Sequence, residues 1–402
     1  MVVNSVDESA RLTTISSLTG IRAFAMLLVV GAHAGFWTGK YTPDLVGAFY
    51  SRLEIGVAIF FALSGYLLFR PWVKALARGG QSPAVGTYLW HRARRILPAY
   101  WIAIIAVYTI YLFRDSGETG LGWDGFLRNM TFTQIYGFGH FHDGLTQTWS
   151  LAVEVIFYLL LPLIAWALVV VVCGGRWRPG RLVLGLSVLA MTTPLWIVFT
   201  HTDAQISITA RLWFPGFFAW FVGGMVLAVA SMTLRRFNPY AAGAGALVCF
   251  LLAMTPATGE ATIVPDDGGA AITKAFLYLM FAMFLLAPLV VGSHDGPFGS
   301  LCASRPMVWL GEISYEFFLV HLVVMEFVME MLGYGTFQGS AVGVFIVTTV
   351  LTIPPAWALH RGIARVVLWR ENQTRAGRPS PTAVAVADSR SYADRVSGAS
   401  RS

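Results

Sequence analysis

The chain has 402 residues, of which 56% are hydrophobic and only 12% are charged. A soluble globular domain carries about twice that share of charged residues, so the composition excludes a soluble protein of this length. The net charge of +7 does not indicate a nucleic-acid-binding protein, because the basic residues lie between apolar segments and in the C-terminal tail. We therefore predict a polytopic membrane protein that contacts the lipid bilayer and no nucleic acid.

Ten apolar segments follow one another along the chain, each near the roughly 17 to 25 residues that cross a bilayer. They predict an all-α fold, a transmembrane helical bundle of about ten helices. The segments are 18–37, 53–72, 96–113, 148–172, 182–200, 212–231, 240–255, 273–292, 307–330 and 339–360.

The distribution of basic residues predicts the sidedness of this bundle. An even number of spans places both termini on one side of the membrane. If that side is the cytoplasm, 22 of the 28 Lys and Arg residues are cytoplasmic, as the positive-inside rule requires. We therefore expect both termini in the cytoplasm and a multi-pass protein of the plasma membrane.

Composition divides the chain into three parts. Residues 1–17 are polar, mixed in charge and without a signal-peptidase site, which predicts a cytoplasmic tail before an uncleaved first span. Residues 18–370 form the predicted membrane domain. Residues 371–402 are rich in Ser, Ala, Pro and Arg without apolar periodicity, which predicts a disordered cytoplasmic tail.

Two ionisable residues interrupt the first apolar segment. Arg22 and His33 are eleven positions apart, which places them on one helix face about 16 Å apart along the axis. An ionisable group inside a bilayer costs several kcal/mol unless it has a polar partner or a cavity. Snorkelling of Arg22 and a bond from His33 to a neighbouring helix are the alternatives to a functional site.

The helix rise places two further ionisable residues at the depth of His33. That residue lies about 8 Å below the outer edge of the hydrocarbon, and Glu154 and His321 each lie about 9 Å below it. Because three residues from three helices share one depth, we predict a common polar site in the outer half of the membrane.

Other polar residues have two interpretations each. Arg92 and Arg95 in "HRARR" either form the basic flank of a span or bind phosphate groups. We count Ser314, Tyr315, Trp149 and Arg211 with His321 as candidate substrate-binding residues, although each could instead bond a neighbouring helix or sit at the membrane interface.

Two features favour a structural interpretation. The small residues of "GVAIFFALSGYLL" (56–68) predict close helix packing, and Glu54 in front of them is read as solvated. The three cysteines, Cys173, Cys249 and Cys302, show no metal-ligand spacing, so we expect neither a metal site nor a disulfide framework.

Six blocks together resemble the acyltransferase-3 family of integral membrane O-acyltransferases, over about residues 15–365. Any one block alone is weak, whereas all six in this order are specific. We expect the form without the extracytoplasmic esterase-like domain that some members carry. The blocks are Arg22 with His33, "GVAIFFALSGYLLFRPW", "RARRILPAYW", "WSLAVEVIFYLLLP", "RLWFPGFFAWFVGGM" and "LGEISYEFFLVH".

The resemblance implies transfer of an acyl group, with acetyl favoured, from cytoplasmic acyl-CoA to a hydroxyl group. On this basis Arg92 and Arg95 hold the coenzyme A phosphates, and Arg22 holds a phosphate or steers the pantetheine arm. His33 acts as the general base, and Glu154 orients its ring or stabilises the imidazolium. A covalent acyl-histidine remains the alternative route.

The acceptor and two rival functions stay open at this stage. Family members modify cell-wall polysaccharides, glycolipids, trehalose mycolates and small natural products such as macrolides. A composition typical of high-GC actinobacteria favours a cell-envelope glycolipid or carbohydrate, such as a trehalose mycolate. The rivals are acylation of a small natural product and transport of a polar lipid or solute. The sequence does not indicate an oligomeric state.

Overall fold

A computed structural model describes residues 2–114, 120–202, 208–262, 267–292 and 296–376, with side chains from Ser16 to Val366. Within these ranges the chain is helical and contains no β-strand, as the sequence predicts. The α-helices are α1 (Val2–Trp37), α2 (Leu45–Arg52), α3 (Gly56–Arg78), α4 (Val85–Tyr111), α5 (Trp123–Met130), α6 (Trp149–Trp166), α7 (Pro179–Ala190), α8 (Thr192–Thr202), α9 (Phe218–Thr233), α10 (Pro239–Ala253), α11 (Gly268–Val290), α12 (Pro297–Cys302), α13 (Arg305–Glu312), α14 (Ser314–Met331) and α15 (Ala341–Ala376).

Eight helical stretches in the described ranges are long and apolar enough to cross a membrane. A ninth span results if α13 and α14, which meet at an angle of 74°, are counted as one. Helix α10 occupies the predicted segment 240–255, but its 15 residues are fewer than a typical span requires. The prediction of a transmembrane helical bundle is thus confirmed, with eight or nine spans where about ten were expected.

The two ends of the chain differ from their predicted boundaries. Helix α1 begins at Val2, so most of the predicted tail 1–17 is helical, and α15 continues to Ala376. Residues 377–402, which make up most of the tail predicted to be disordered, lie outside the described residues. The cytoplasmic location of both termini stays a prediction.

Glycines allow α3 to approach α9 and α1 closely. A Cβ atom on Gly65 would meet the carbonyl oxygen of Phe221, and one on Gly224 would meet that of Ala62. A Cβ atom on Gly56 would meet the Ala25 carbonyl of α1. Small residues at helix crossings replace the hydrophobic driving force that is missing in lipid. The packing role predicted for residues 56–68 therefore holds for Gly56 and Gly65.

The bend between α13 and α14 sets the position of α14, the helix that carries His321. Ile313 separates the two helices, and Gly311 lies so close to α1 that a Cβ atom there would meet the Thr19 carbonyl. The bend redirects the chain, so that α14 packs against α1 and against the 3₁₀ segment Asp143–Thr148, which leads into α6. This arrangement brings His321 to His33.

Candidate active site

A pair of histidines joins α1 to α14. The Nδ1 atom of His33 lies 2.9 Å from the Nε2 atom of His321, and the two rings stack with centroids 5.1 Å apart. On its other side, the Nδ1 atom of His321 lies 2.7 Å from the carbonyl oxygen of Phe318. His321 is fully buried, whereas His33 is partly exposed and lines a cavity.

These contacts determine which ring nitrogens carry protons when both histidines are neutral. A carbonyl oxygen only accepts, so Nδ1 of His321 donates to Phe318 and Nε2 of His321 is left as an acceptor. Nδ1 of His33 must then donate to that acceptor. Nε2 of His33 consequently keeps an unshared electron pair, which is the form that a general base needs.

The segment before α6 holds this pair in place. The side-chain amide of Gln147 donates to the carbonyl oxygens of Phe318 (3.3 Å) and Leu319 (3.0 Å), one turn before His321. Gln147 is buried and also lines the cavity in front of His33. Sequence reasoning missed this residue, because a glutamine at the edge of an apolar segment gives no signal of its own.

The first of three adjoining cavities contains all three predicted coenzyme A ligands. Arg22, Arg92 and Arg95 line an empty space of about 850 Å³, which includes its solvent-open part. We call it the arginine cavity. Its other polar lining residues are Ser64, Ser150, Glu154, Tyr158, Ser314 and Tyr315.

The sequence predicts that Glu154 contacts His33, but in the structure its hydrogen-bond partner is elsewhere. Its carboxylate accepts a hydrogen bond from the Ser64 hydroxyl inside the arginine cavity. Ser64, which was assigned to packing, is therefore a polar lining residue. Neither Ser64 nor Tyr158 carries a sequence signal that separates it from ordinary helix-packing residues.

Ser314 and Tyr315 combine both roles that the sequence left open. The Tyr315 hydroxyl donates to the Ile96 carbonyl of α4 at 3.0 Å, and the Ser314 hydroxyl donates to the Gly311 carbonyl at 2.8 Å. Both side chains also line the arginine cavity. They connect helices and face the site at the same time.

The second cavity lies in front of His33, and we call it the histidine cavity. It encloses about 1240 Å³ and shares the lining residues Val57, Ser150 and Phe318 with the arginine cavity. Tyr41 also lines it, and burial together with the nearby Glu54 carboxylate raises the pKa of Tyr41, so its hydroxyl stays protonated. The three shared residues form a neck between the arginines and His33.

The third cavity lies beyond Trp149, and we call it the aromatic cavity. It encloses about 750 Å³ and shares Glu54, Val57, Trp149 and Leu212 with the histidine cavity. Of the remaining predicted substrate-binding residues, Arg211 lines this cavity and Trp149 lines both. The other lining side chains include Trp196, Phe217, Trp220, Lys274 and Tyr278.

Glu54, which the sequence suggested to be solvated, has a side chain that is 25% exposed and has partners inside the protein. It forms an ion pair with Lys274 and accepts a hydrogen bond from the Tyr278 hydroxyl at 3.2 Å. Lys274 lies 220 positions away in α11, so no local pattern could reveal this pair.

The two histidines between α5 and α6 have separate structural surroundings. His142 is buried against the rings of Tyr108 and Tyr111, and burial lowers its pKa to about 4. His140 pairs with Asp124, with 3.1 Å between Nδ1 and Oδ2. Within the described ranges, no group of three or more His, Cys, Asp and Glu residues has an arrangement that could hold a metal ion.

The fold and these cavities define a helical membrane protein with a buried histidine pair next to an arginine-lined cavity. The chain belongs to the acyltransferase family that its sequence resembles, since the model of that family, described as "Acyltransferase domain", matches residues 15–361. The protein is therefore an acyltransferase.

Curated relatives include both acyltransferases and O-acetyltransferases. The chain is 27% identical over 344 residues to Acyltransferase MdmB of Streptomyces mycarofaciens, covering 80% of this chain and 82% of that protein. It is 26% identical over 353 residues to Peptidoglycan O-acetyltransferase OatA of Listeria monocytogenes serovar 1/2a, covering 79% of this chain and 50% of OatA. A putative O-acetyltransferase of Staphylococcus aureus (strain COL) is 23% identical, with 78% and 51% covered. The chain thus spans about half the length of the two O-acetyltransferases. No solved structure matches the chain.

Proposed function

We propose that this acyltransferase moves an acyl group, with acetyl favoured, from acyl-CoA to a hydroxyl of a cell-envelope glycolipid or carbohydrate. The observation that carries the proposal is the His33–His321 pair beside a cavity that shares Val57, Ser150 and Phe318 with the cavity lined by three arginines. One side of this neck suits the phosphates of the donor, and the other side suits proton transfer at the acceptor.

The chemistry of the arginine cavity supports binding of the acyl-CoA donor there. Guanidinium groups bind phosphate oxygens through two parallel hydrogen bonds, which makes Arg22, Arg92 and Arg95 suitable ligands for the coenzyme A phosphates. The pantetheine arm would pass the neck and bring the thioester to His33. The positive-inside distribution supports entry of acyl-CoA from the cytoplasm.

The transfer step uses the free electron pair of His33. Nε2 takes the proton of the acceptor hydroxyl while the oxygen attacks the thioester carbonyl. The tetrahedral intermediate collapses, the C–S bond breaks, and the coenzyme A thiolate takes the proton back from the imidazolium. The charge on His33 is shared through His321 with the Phe318 carbonyl, a role that the sequence analysis gave to Glu154.

In the proposed function, Glu154 acts on the arginines and not on His33. Its carboxylate lies in the cavity that they line and is held by Ser64. We infer that it orients a guanidinium group before the donor arrives. The route through a covalent acyl-histidine at Nε2 uses the same residues and is tested by trapping labelled enzyme.

The acceptor proposal draws on the relatives. A peptidoglycan O-acetyltransferase and a putative O-acetyltransferase support a carbohydrate hydroxyl as the acceptor class. Trehalose mycolates and peptidoglycan are therefore the first envelope acceptors to test.

Labelled acetyl-CoA supplied to inverted membrane vesicles tests the proposal. We expect label in an envelope glycolipid or glycan with the wild type, and a loss of at least about a hundredfold with His33→Ala or Arg95→Ala. His91→Ala is the matched control, because His91 is exposed one turn before Arg95 and lines none of the three cavities. Wild-type transfer by a folded His33→Ala protein would exclude the assigned base. Failure of the wild type with acetyl-CoA and longer acyl-CoAs would exclude the donor.

A further inference from the structure

The ion pair of buried Lys274 with partly exposed Glu54 is a charged group that the transfer step does not use. Lys274 is 7% exposed, and its ammonium group pairs with Glu54 in the 3₁₀ turn Leu53–Ile55. The ammonium nitrogen also lies 5.7 Å from the centre of the Tyr278 ring. Two charges inside a membrane bundle cost more than packed apolar residues would, so their presence points to a function at this place.

Rigid aromatic side chains surround this pair in the aromatic cavity. The indole N–H groups of Trp196 and Trp220 donate to the backbone carbonyls of Ala210 and Ala275, each at 2.9 Å. These bonds fix both rings. The cavity therefore combines firm apolar walls with a few charged hydrogen-bonding groups, which is the usual composition of a small-molecule site.

The aromatic cavity shares more of its lining with the histidine cavity than with the arginine cavity. It has Glu54, Val57, Trp149 and Leu212 in common with the first and Val57 in common with the second. Arg22, Arg92 and Arg95, which bind the donor in the proposed function, line neither the aromatic nor the histidine cavity. A molecule in the aromatic cavity would thus reach the histidine cavity without passing the donor arginines.

We propose that the aromatic cavity binds the acceptor as a saturated ring that carries several hydroxyl groups, such as a pyranose. The C–H face of the ring lies against the indole walls. Glu54 accepts from one ring hydroxyl and Lys274 donates to another, so that a neighbouring hydroxyl is presented to Nε2 of His33. The pair thereby selects which hydroxyl is acylated. This inference rests on the proposed function.

The chemistry of the cavity favours such a ring over an alkyl chain. Charged side chains form stronger hydrogen bonds than neutral ones and recognise hydroxyl groups at fixed positions. A lipid tail would offer the ion pair no hydrogen bond. A polyhydroxylated ring satisfies both the apolar walls and the charged end of the cavity.

The test uses the purified full chain, labelled acetyl-CoA and two acceptor probes. The probes are octyl β-glucoside below its micellar concentration and cyclohexylmethanol, which has a ring of similar size but only one hydroxyl. We expect the wild type to acetylate the glucoside mainly at one position. Products are analysed early, before acyl groups migrate between hydroxyls.

The variants are Lys274→Met, Glu54→Gln and the double substitution, which leaves neither member of the ion pair without its partner. We expect the KM for the glucoside to rise about tenfold or more and the product to spread over several hydroxyls. The KM for acetyl-CoA and the KM for cyclohexylmethanol should stay unchanged. Lys40→Met is the control, because Lys40 lies beyond α1 and lines none of the three cavities.

Three results would overturn the inference. An unchanged KM and product distribution in the folded double variant would show that the pair does not recognise the acceptor. Transfer to cyclohexylmethanol or to water, with no transfer to the glucoside, would exclude a ring with several hydroxyl groups as the ligand of the aromatic cavity. The proposed acyl-CoA chemistry would remain intact. A wild type that consumes no acetyl-CoA with either probe or with water would overturn the proposed function and this inference together.

Discussion

In the proposed function, the basicity of Nε2 of His33 depends on the proton carried by the other ring nitrogen, Nδ1. His321 accepts from Nδ1 of His33 only because its own Nδ1 donates to the Phe318 carbonyl. Either ring alone could adopt the other tautomer. The pair together has one neutral arrangement that satisfies both contacts, and in it Nε2 of His33 is free to accept.

His321→Ala removes this control while leaving the base in place. We expect kcat to fall about a hundredfold or more, because part of the His33 population then carries its proton on Nε2. The KM for acyl-CoA should not change, since the arginines are untouched. Steady-state kinetics on the purified protein measure both values.

His321→Gln separates tautomer control from packing. The glutamine side chain can still accept a hydrogen bond, so its kcat should lie between those of the wild type and the alanine variant. Equal losses in both variants would indicate that the imidazole acts in another way.

Predictability at the residue scale was limited by where each helix was taken to enter the membrane. The rise per residue placed His33 and His321 at one level, and the structure joins them. The same estimate put Glu154 at that level, but the residue beside the backbone that precedes His321 is Gln147, seven positions earlier, and Glu154 lines the neighbouring cavity. Seven residues of helix rise about 10 Å, so an error in the assumed start of a span displaces every residue in it by a similar distance.

At the scale of elements, the crossing of α3 and α9 fixes the position of the cavity wall that α3 forms. Helices α3 and α9 meet where Gly65 and Gly224 each lie against the backbone of the partner helix. Helix α3 also carries Val57 and Ser64, so the closeness of this crossing sets the position of the neck and of the arginine cavity.

Gly224→Ala should disturb this crossing. The added Cβ atom would meet the Ala62 carbonyl, and the helices can separate only at a cost of about 1 to 3 kcal/mol. We expect a lower melting temperature in detergent and reduced acyl transfer. Gly243→Ala in α10 is the control, because a Cβ atom there has no neighbour within 4 Å. Equal melting temperatures would contradict the close crossing.

Element types were predictable from hydropathy, whereas element ends were not. The predicted segment 96–113 covers only the apolar part of α4, which begins at Val85 and includes "HRARR". Hydropathy finds the stretch that suits lipid, but a helix continues as long as its backbone hydrogen bonds do. The bend at Ile313 carried no signal either, since neither proline nor glycine occupies that position.

At the scale of the whole molecule, three cavities form a series with one residue in common. Val57 lines the arginine, histidine and aromatic cavities. In the proposed function, donor and acceptor would therefore meet around a single side chain of α3. A larger side chain there would separate the two substrates without removing the groups that bind either one.

Val57→Trp should uncouple binding from transfer. We expect acyl transfer to fall about a hundredfold or more, because a misplaced reactant loses the rate advantage of proximity. The Kd for adenosine 3′,5′-bisphosphate, a part of coenzyme A that lacks the pantetheine arm, should stay near that of the wild type when measured by calorimetry. Val46→Trp is the control, since Val46 is exposed on α2 and lines none of the three cavities. Normal turnover in Val57→Trp would show that the substrates do not meet at the neck.

The neck also determines where a membrane voltage would act. Arg22 and Trp37 mark cavity walls about 22 Å apart along α1, which is most of the roughly 30 Å hydrocarbon thickness. When water fills the cavities, the electric field concentrates across the barrier formed by the neck residues Val57, Ser150 and Phe318. A charge that crosses this barrier then experiences nearly the full potential, worth about 2.3 kcal/mol per 100 mV. Any movement of charge at the neck, where donor and acceptor would meet, would thus depend on the membrane potential.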